Sequence, residues 1–219
     1  MKPEEVLKDI AEQTGTCTRC KLHFSRKNAV PGAGDPNTSI MFIGEGPGFH
    51  ENEQGLPFVG AAGKFLDELL EQAGLSRETV FITNVVKCRP PGNRDPNSEE
   101  LEACKPYLER QIAVINPDVI VTLGRISMSY FIANGKISSI HGTHYWSNGR
   151  MVVPMYHPAA ALHQPSLRSV VKEDFIKLPE MITKAQQTRL ENSNLVSANQ
   201  SDPVEDVAED HITEQLSLF

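Results

Sequence analysis

The chain has 219 residues, 39% of them hydrophobic, and a formal net charge of −7. That length allows one domain with a substantial core, and the sequence holds no apolar run of about eighteen residues, which excludes a membrane-spanning helix. The charge does not exclude a polyanionic partner: between residues 185 and 219 a single basic residue, Arg189, stands among seven acidic ones, which leaves residues 1–184 nearly neutral with room for a local basic face.

The opening MKPEEVLKDIAEQTG is charged and lacks the apolar stretch of a secretory signal, which predicts a cytoplasmic, reducing setting. Residues 3–13 read as a first helix, and Cys17 and Cys20 follow it as a C-x2-C pair in a polar segment. SIMFIG (39–44) reads as a strand that runs into the glycine-rich connection GEGPGFHENEQGLPFVGAAG (44–63). The next helix, 63–73, collects Phe65, Leu66, Leu69 and Leu70 on one side and stops at Gly74. A second strand, VFITNVVKC (80–88), ends on Cys88, and a helix over 98–115 carries Cys104 and stops at Asn116-Pro117. DVIVTLG (118–124) and MVVPMYHP (151–158) complete four mostly apolar runs of the kind found in strands buried on both faces of a parallel sheet. A last helix is predicted over 167–187. The alternation implies an α/β fold, three-layer α/β/α with a central four-stranded, mainly parallel sheet, occupying residues 1–187. Residues 188–214 are polar, acidic and poor in aromatics, which predicts a disordered linker before the closing QLSLF (215–219).

The glycine-rich connection is not a nucleotide loop. Gly44, Gly46 and Gly48 give G-x-G-x-G where a dinucleotide fingerprint needs G-x-G-x-x-G, and Gly63-Lys64 is followed by Phe65 where a P-loop needs serine or threonine. Glu45, Glu51 and Glu53 would also repel a triphosphate. Phe58 stands in this loop where no periodic pattern demands a ring, and an aromatic above the carboxyl ends of parallel strands is placed to stack on a planar ligand. The four cysteines, Cys17, Cys20, Cys88 and Cys104, form two separated groups that a fold can draw together, suiting either tetrahedral zinc or an iron-sulfur cubane; spacing leaves that choice open.

Taken in order, C-x2-C (17–20), GEGPG (44–48), LPFVGAAG (56–63), NVVKCRPPGNRDP (84–96), Cys104 and HPAA (157–160) resemble the family 4 uracil-DNA glycosylases, bacterial and archaeal enzymes that hold a 4Fe-4S cluster. The resemblance covers residues 1–185. It implies a monofunctional enzyme of base excision repair that flips uracil out of DNA, hydrolyses its N-glycosidic bond and leaves an abasic site. It implies that Phe58 stacks on the flipped base, that the Asn84 amide reads uracil N3–H and O4 where cytosine presents the reverse pattern, and that His157 stabilises the anion leaving through O2. The Glu45 side chain or the backbone N–H groups of Gly44 to Gly46 would contact the uracil ring and the attacking water, with Glu45 counted as catalytic, although Gly46 stands where other branches of the superfamily have a water-activating aspartate. Glu51, by position alone, would guard uracil C5 against the thymine methyl. Leu162 would be the wedge that enters the helix. Cys17, Cys20, Cys88 and Cys104 would hold the cluster as a structural clip, with zinc as the alternative. The chain departs from the family pattern at Phe49-His50, where an acidic pair is usual, and at Ala161 and His163, where leucine and arginine are usual.

Gln215, Leu216, Leu218 and Phe219 resemble the pentapeptide by which bacterial replication and repair proteins dock on the sliding clamp, with the acidic linker as tether. The expected protein is a monomer associated with the nucleoid, acting on uracil-containing DNA. The competing reading is a non-catalytic or altered-chemistry, metal-stabilised nucleic-acid or clamp-binding member of the same fold.

Overall fold

A computed structural model describes residues 2–199. In chain order the elements are α1 (Pro3–Thr16), β1 (Ala33–Gly34), β2 (Ile40–Gly44), α2 (Phe49–Gln54), α3 (Ala61–Gln72), β3 (Phe81–Asn84), α4 (Ser98–Ile115) and β4 (Val119–Leu123). They continue with α5 (Arg125–Phe131), α6 (Ile137–Ile140), β5 (Tyr145–Ser147), β6 (Arg150–Met155), α7 (Pro158–His163), α8 (Leu167–Ile176) and α9 (Leu178–Asn199).

The four expected strands form the parallel centre of the sheet, β3-β2-β4-β6, with Met41 beside Phe81 and Ile120, and Val121 beside Val153. The sheet has six strands rather than four, because β1 and β5 add short antiparallel edges to β3 and β6. Two and three residues are too short to show a period. The β5–β6 hairpin nevertheless has a local cause: Asn148 and Gly149 both take positive φ, 50° and 74°, the geometry of a tight hairpin turn whose twist matches its strands.

The apolar runs are buried because both faces of the sheet are covered. On one face Phe42, Val121 and Val153 pack with Phe65, Leu66 and Leu69 of α3 and Phe175 of α8. On the other, Met41, Ile43, Phe81 and Ile120 pack with Leu108 of α4, joined by Leu7 of α1 and Ile126 of α5. That is the expected three-layer arrangement.

Local chemistry sets the helix ends. Asn97 Oδ1 accepts from the Glu100 N–H at 2.9 Å, and the Glu100 carboxylate accepts from the Asn97 N–H at 2.9 Å, a reciprocal cap that starts α4. Asn116, at φ 49°, closes it before Pro117. The single helix expected over 167–187 is two, α8 and α9, because Pro179 has no N–H to return to the carbonyl four residues back. The last helix also persists to Asn199, into the segment expected to be linker. Arg189 fastens it to the foot of β4 through the Asn116 carbonyl at 3.0 Å and the Asp118 carboxylate at 2.5 Å. The rest of the expected linker, 200–214, and the terminal peptide with Gln215, Leu216, Leu218 and Phe219 lie outside the described residues. No helix among the described residues is long and apolar enough to cross a membrane.

Candidate functional site

The parallel strands all end on the same edge of the sheet, so the segments leaving them meet there. β2 leads into Gly44–Gly48, β3 ends at Asn84, β4 gives way to Gly124 and β6 leads to His157. A pocket of about 430 Å³ opens at this edge, lined among others by Glu45, Gly46, Glu51, Phe58, Asn84 and His157. Of the residues expected at the base-binding site, only Gly44 and Leu162 do not line it. Gly44 instead lies directly beneath: a Cβ there would fall 2.4 Å from Asn84 Oδ1 and 2.7 Å from Phe58 Cζ. Only glycine allows the two side chains to converge over that strand end. Leu162 projects from α7, 40% exposed, beside His163, which does line the pocket.

Asn84 is held from behind. The Lys87 ammonium, fully buried, donates to the Asn84 carbonyl at 2.8 Å, to Thr83 Oγ1 at 2.7 Å and to Gln111 Oε1 at 2.6 Å. Thr83 Oγ1 and Gln111 Nε2 both donate to the Pro31 carbonyl, at 2.8 and 2.7 Å. This network fixes the backbone of the strand end, while the side-chain oxygen of Asn84, itself buried, has no hydrogen-bond partner among the described residues. A buried acceptor left without a donor costs about 1–3 kcal/mol, which a ligand N–H returns on binding.

Phe58 is 5% exposed and holds a left-handed backbone, φ 53°, rare for an aromatic residue. Two neighbours impose it. Gly63 approaches so closely that a Cβ there would lie 1.7 Å from the Phe58 carbonyl oxygen. Arg77 donates to the carbonyls of Pro57, at 3.0 Å, and of Phe58, and is oriented by Asp67 at 2.5 Å. The Phe58 ring lies 5.5 Å from the His157 ring, their planes 26° apart.

His157 caps α7. Its Nδ1 accepts from the Ala159 N–H at 3.1 Å, so Nδ1 carries no proton and Nε2 carries the ring hydrogen. Burial lowers its pKa to about 4 against the opposing pull of Glu51. At neutral pH the residue is therefore a neutral Nε2–H donor.

The two pocket glutamates differ in environment. Both Glu51 oxygens are committed to the loop: Oε2 accepts from the Gly48 N–H at 3.1 Å, and Oε1 from the Val59 and Gly60 N–H groups at 2.9 Å each. This carboxylate staples the GEGPG turn to the Phe58 segment, a positioning task that the expected role at uracil C5 did not foresee. Burial raises the pKa of Glu45; Asp95 adds to the rise and Arg125 opposes it. Its backbone is fixed by the Val86 N–H, which donates to the Glu45 carbonyl at 3.2 Å.

Pro90, Asn93 and Arg94 of the RPPGNR segment (89–94) also line the pocket, with no role expected for them from the sequence. A proline- and glycine-rich turn leaving the same strand as Asn84 was the available signal. Arg94 is bound in bidentate fashion to the buried Glu100, at 2.7 and 2.8 Å. Arg77 had no local signal, since its carbonyl partners lie fourteen to twenty residues back, and Lys87 is buried against Thr83 and Asn84 of its own segment only where Gln111 of α4 closes over it.

A second, small pocket is lined by all four cysteines, with Leu22, Ala103 and Tyr107 around them. Cys17 ends α1, Cys20 precedes a short 3-10 turn, Cys88 lies beyond β3 and Cys104 lies on α4. Among the described residues no group of three or more His, Cys, Asp or Glu side chains stands in a metal-holding arrangement. The donor set nevertheless suits a thiolate-ligated group: four soft sulfurs in one place, with an N–H from Lys87 at 3.3 Å from Cys104 Sγ and the Arg26 guanidinium at 3.6 Å from Cys88 Sγ. Arg26 also donates to the carbonyls of Cys17, at 2.6 Å, and Gly15, at 2.7 Å, holding the C-x2-C turn against the site. Burial raises the pKa of Cys20, Cys88 and Cys104, the last to about 11, against the opposing pull of Arg26 on Cys20 and Cys88 and of Lys87 on Cys104.

A family model described as uracil DNA glycosylase superfamily matches residues 31–181. A type-4 uracil-DNA glycosylase of Sulfurisphaera tokodaii is 50% identical over 185 residues, 80% of this chain and 84% of its own. One from Thermotoga maritima is 46% identical over 186 residues, 83% of this chain and 97% of its own. A type-5 uracil-DNA glycosylase of Thermus thermophilus is 37% identical over 150 residues, 58% of this chain and 68% of its own.

Proposed function

The chain belongs to the uracil-DNA glycosylase superfamily, and from that premise we propose how its pocket works. The enzyme is a DNA glycosylase that hydrolyses the N-glycosidic bond of uracil in DNA, releasing the base and leaving an abasic site for repair. The observation that carries the assignment of the pocket is the buried, unpartnered Asn84 Oδ1, which converges with the Phe58 ring over Gly44. Uracil supplies the missing N3–H donor and takes the Asn84 amide hydrogens at O4; cytosine offers an acceptor and a donor in those places and leaves both groups unsatisfied. Phe58 stacks on the flipped ring, an interaction worth about 1–3 kcal/mol and independent of which base is held.

When the C1′–N1 bond breaks, its electron pair stays with uracil and the charge spreads onto O2. The neutral His157 Nε2–H donates to that oxygen. Water adds to C1′, and Glu45, its carboxylate made more basic by burial, accepts the proton. Glu51 holds the loop that presents Glu45 and Phe58, and Leu162 fills the space left in the helix. Excision by wild type and Asn84→Ala from U·G, U·A and single-stranded oligonucleotides tests the assignment: kcat/KM for uracil falls by at least about 10²-fold on all three. An unchanged value would remove Asn84 from the site.

Cys17, Cys20, Cys88 and Cys104 hold a 4Fe-4S cluster, which ties α1 and its following turn to β3 and α4. Glycosidic hydrolysis transfers no electrons, so the cluster serves as a clip. The terminal Gln215-Leu216-Ser217-Leu218-Phe219 docks the enzyme on the bacterial sliding clamp, the leucines and phenylalanine entering an apolar pocket. Deleting residues 215–219 abolishes co-elution with the clamp while leaving excision from short oligonucleotides intact; retained co-elution refutes the docking. The enzyme acts as a monomer in the cytoplasm, on nucleoid DNA, and light scattering of the purified protein checks its mass.

A further inference from the structure

Phe49 is 53% exposed, yet it follows Gly48 of the pocket wall. The Arg89 guanidinium lies 5.3 Å from its ring centroid, and the His50 ring meets it edge-on at 5.5 Å. Arg89 adjoins the pocket as well: the next residue, Pro90, lines it, and Arg89 Nε donates at 2.7 Å to Oδ1 of Asn93, which lines it too. Among the described residues Arg89 forms no ion pair, so its charge is uncompensated at the mouth of the site. An exposed ring beside an anchored cation, each next in sequence to a residue lining the pocket, has the composition of a single-strand nucleotide site: a face for a base and a charge for its phosphate.

We propose that Phe49 and Arg89 form a second nucleotide subsite, outside the uracil pocket, which stacks a base flanking the flipped uracil and pairs with the adjoining phosphate. The proposal rests on the reading of the main pocket as a uracil site. A flipped nucleotide leaves its neighbours without a stacking partner on one side, and a platform on the rim replaces the lost contact. About half of Phe49 lies in solvent, and it belongs to none of the buried core clusters among the described residues.

The test is single-turnover excision by the full chain as purified, from single-stranded oligonucleotides in which the base 5′ or 3′ to uracil is either present or replaced by an abasic sugar. With both flanking bases present, Phe49→Ala raises the half-saturating concentration about 5- to 50-fold, and the maximal rate changes much less. Phe49→Trp restores wild-type affinity and Phe49→Leu does not. Removing one of the two flanking bases weakens the wild type by a similar factor and adds nothing to Phe49→Ala, the non-additivity expected of groups in contact. Equal affinities for wild type and Phe49→Ala, or a Phe49→Ala loss that persists undiminished whichever flanking base is removed, overturn the subsite. If wild type releases uracil under either result, the main pocket stands and only the subsite falls. If wild type releases no uracil from any substrate, both fall.

Discussion

His157→Ala lowers the single-turnover rate of uracil release by about 10²- to 10³-fold, the loss of one preorganised donor to a developing anion, while the half-saturating DNA concentration stays within a few-fold. Such a split follows from geometry: the Nε2–H meets O2 only as charge collects there, whereas affinity comes from Phe58, Asn84 and the DNA backbone. The pH dependence separates this donor from a protonated one. With a pKa near 4 the imidazole is neutral through the physiological range, so the wild-type rate shows no loss attributable to His157 as pH rises through 6 to 8. A rate that collapses through that range together with a measured His157 titration would assign the work to an imidazolium instead. Folding stability carries the same signature. Because the folded pKa lies below the unfolded value of about 6.5, the unfolded chain binds the extra proton, and this group's contribution weakens stability as pH falls from about 6.5 toward 4. Denaturant melts across that window have a smaller pH slope in His157→Ala.

Cys104→Ser and Cys88→Ser produce colourless or weakly coloured protein, with Tm lowered on the order of 10 °C and excision lost in proportion to the unfolded fraction. The size follows from what the thiols join. Cys17 and Cys20 lie at the end of α1 and in the turn after it, and the other two belong to the segment after β3 and to α4. The same segment carries Lys87, which holds the Asn84 carbonyl at 2.8 Å and the Cys104 sulfur through its own backbone N–H at 3.3 Å. Loosening the thiol pocket therefore reaches Asn84 through one residue. Iron and acid-labile sulfide in proportion to four thiols identify the cluster; stoichiometric zinc without iron would identify the other metal, and variants that keep wild-type Tm and colour would show that these cysteines bind neither.

The resolution of the sequence reading follows the range of the forces involved. The four long strands were legible because each is an apolar run wherever it lies, and helix ends such as Asn116 and Gly74 because capping depends on a few adjacent residues. The break between α8 and α9 was equally local, written in Pro179, and was overlooked because the apolar pattern runs on across it. β1 had no such signal: two residues pair with β3 only after the sheet exists. Glu51 marks the other boundary. As one acid among several in a loop it could be given a role by position, but three N–H groups from Gly48, Val59 and Gly60 converge on it only in the folded chain.

The sequence by itself determined the four parallel strands, the longer helices and the four thiols, since patterning is a property of neighbours along the chain, and Asn84, Phe58 and His157 were picked out as a set by the resemblance of their motifs to a known family. Tertiary structure alone decided which ring nitrogen of His157 carries hydrogen, that Arg77 and Gly63 force Phe58 into its left-handed pose, that a buried Lys87 braces the reader, and that Phe49 meets Arg89 at the pocket mouth. The contacts of Phe58 with Arg77 and of Phe49 with Arg89 join residues distant in sequence, while those of His157 with Ala159 and of Lys87 with Asn84 join near neighbours that meet only once burial has removed competing water.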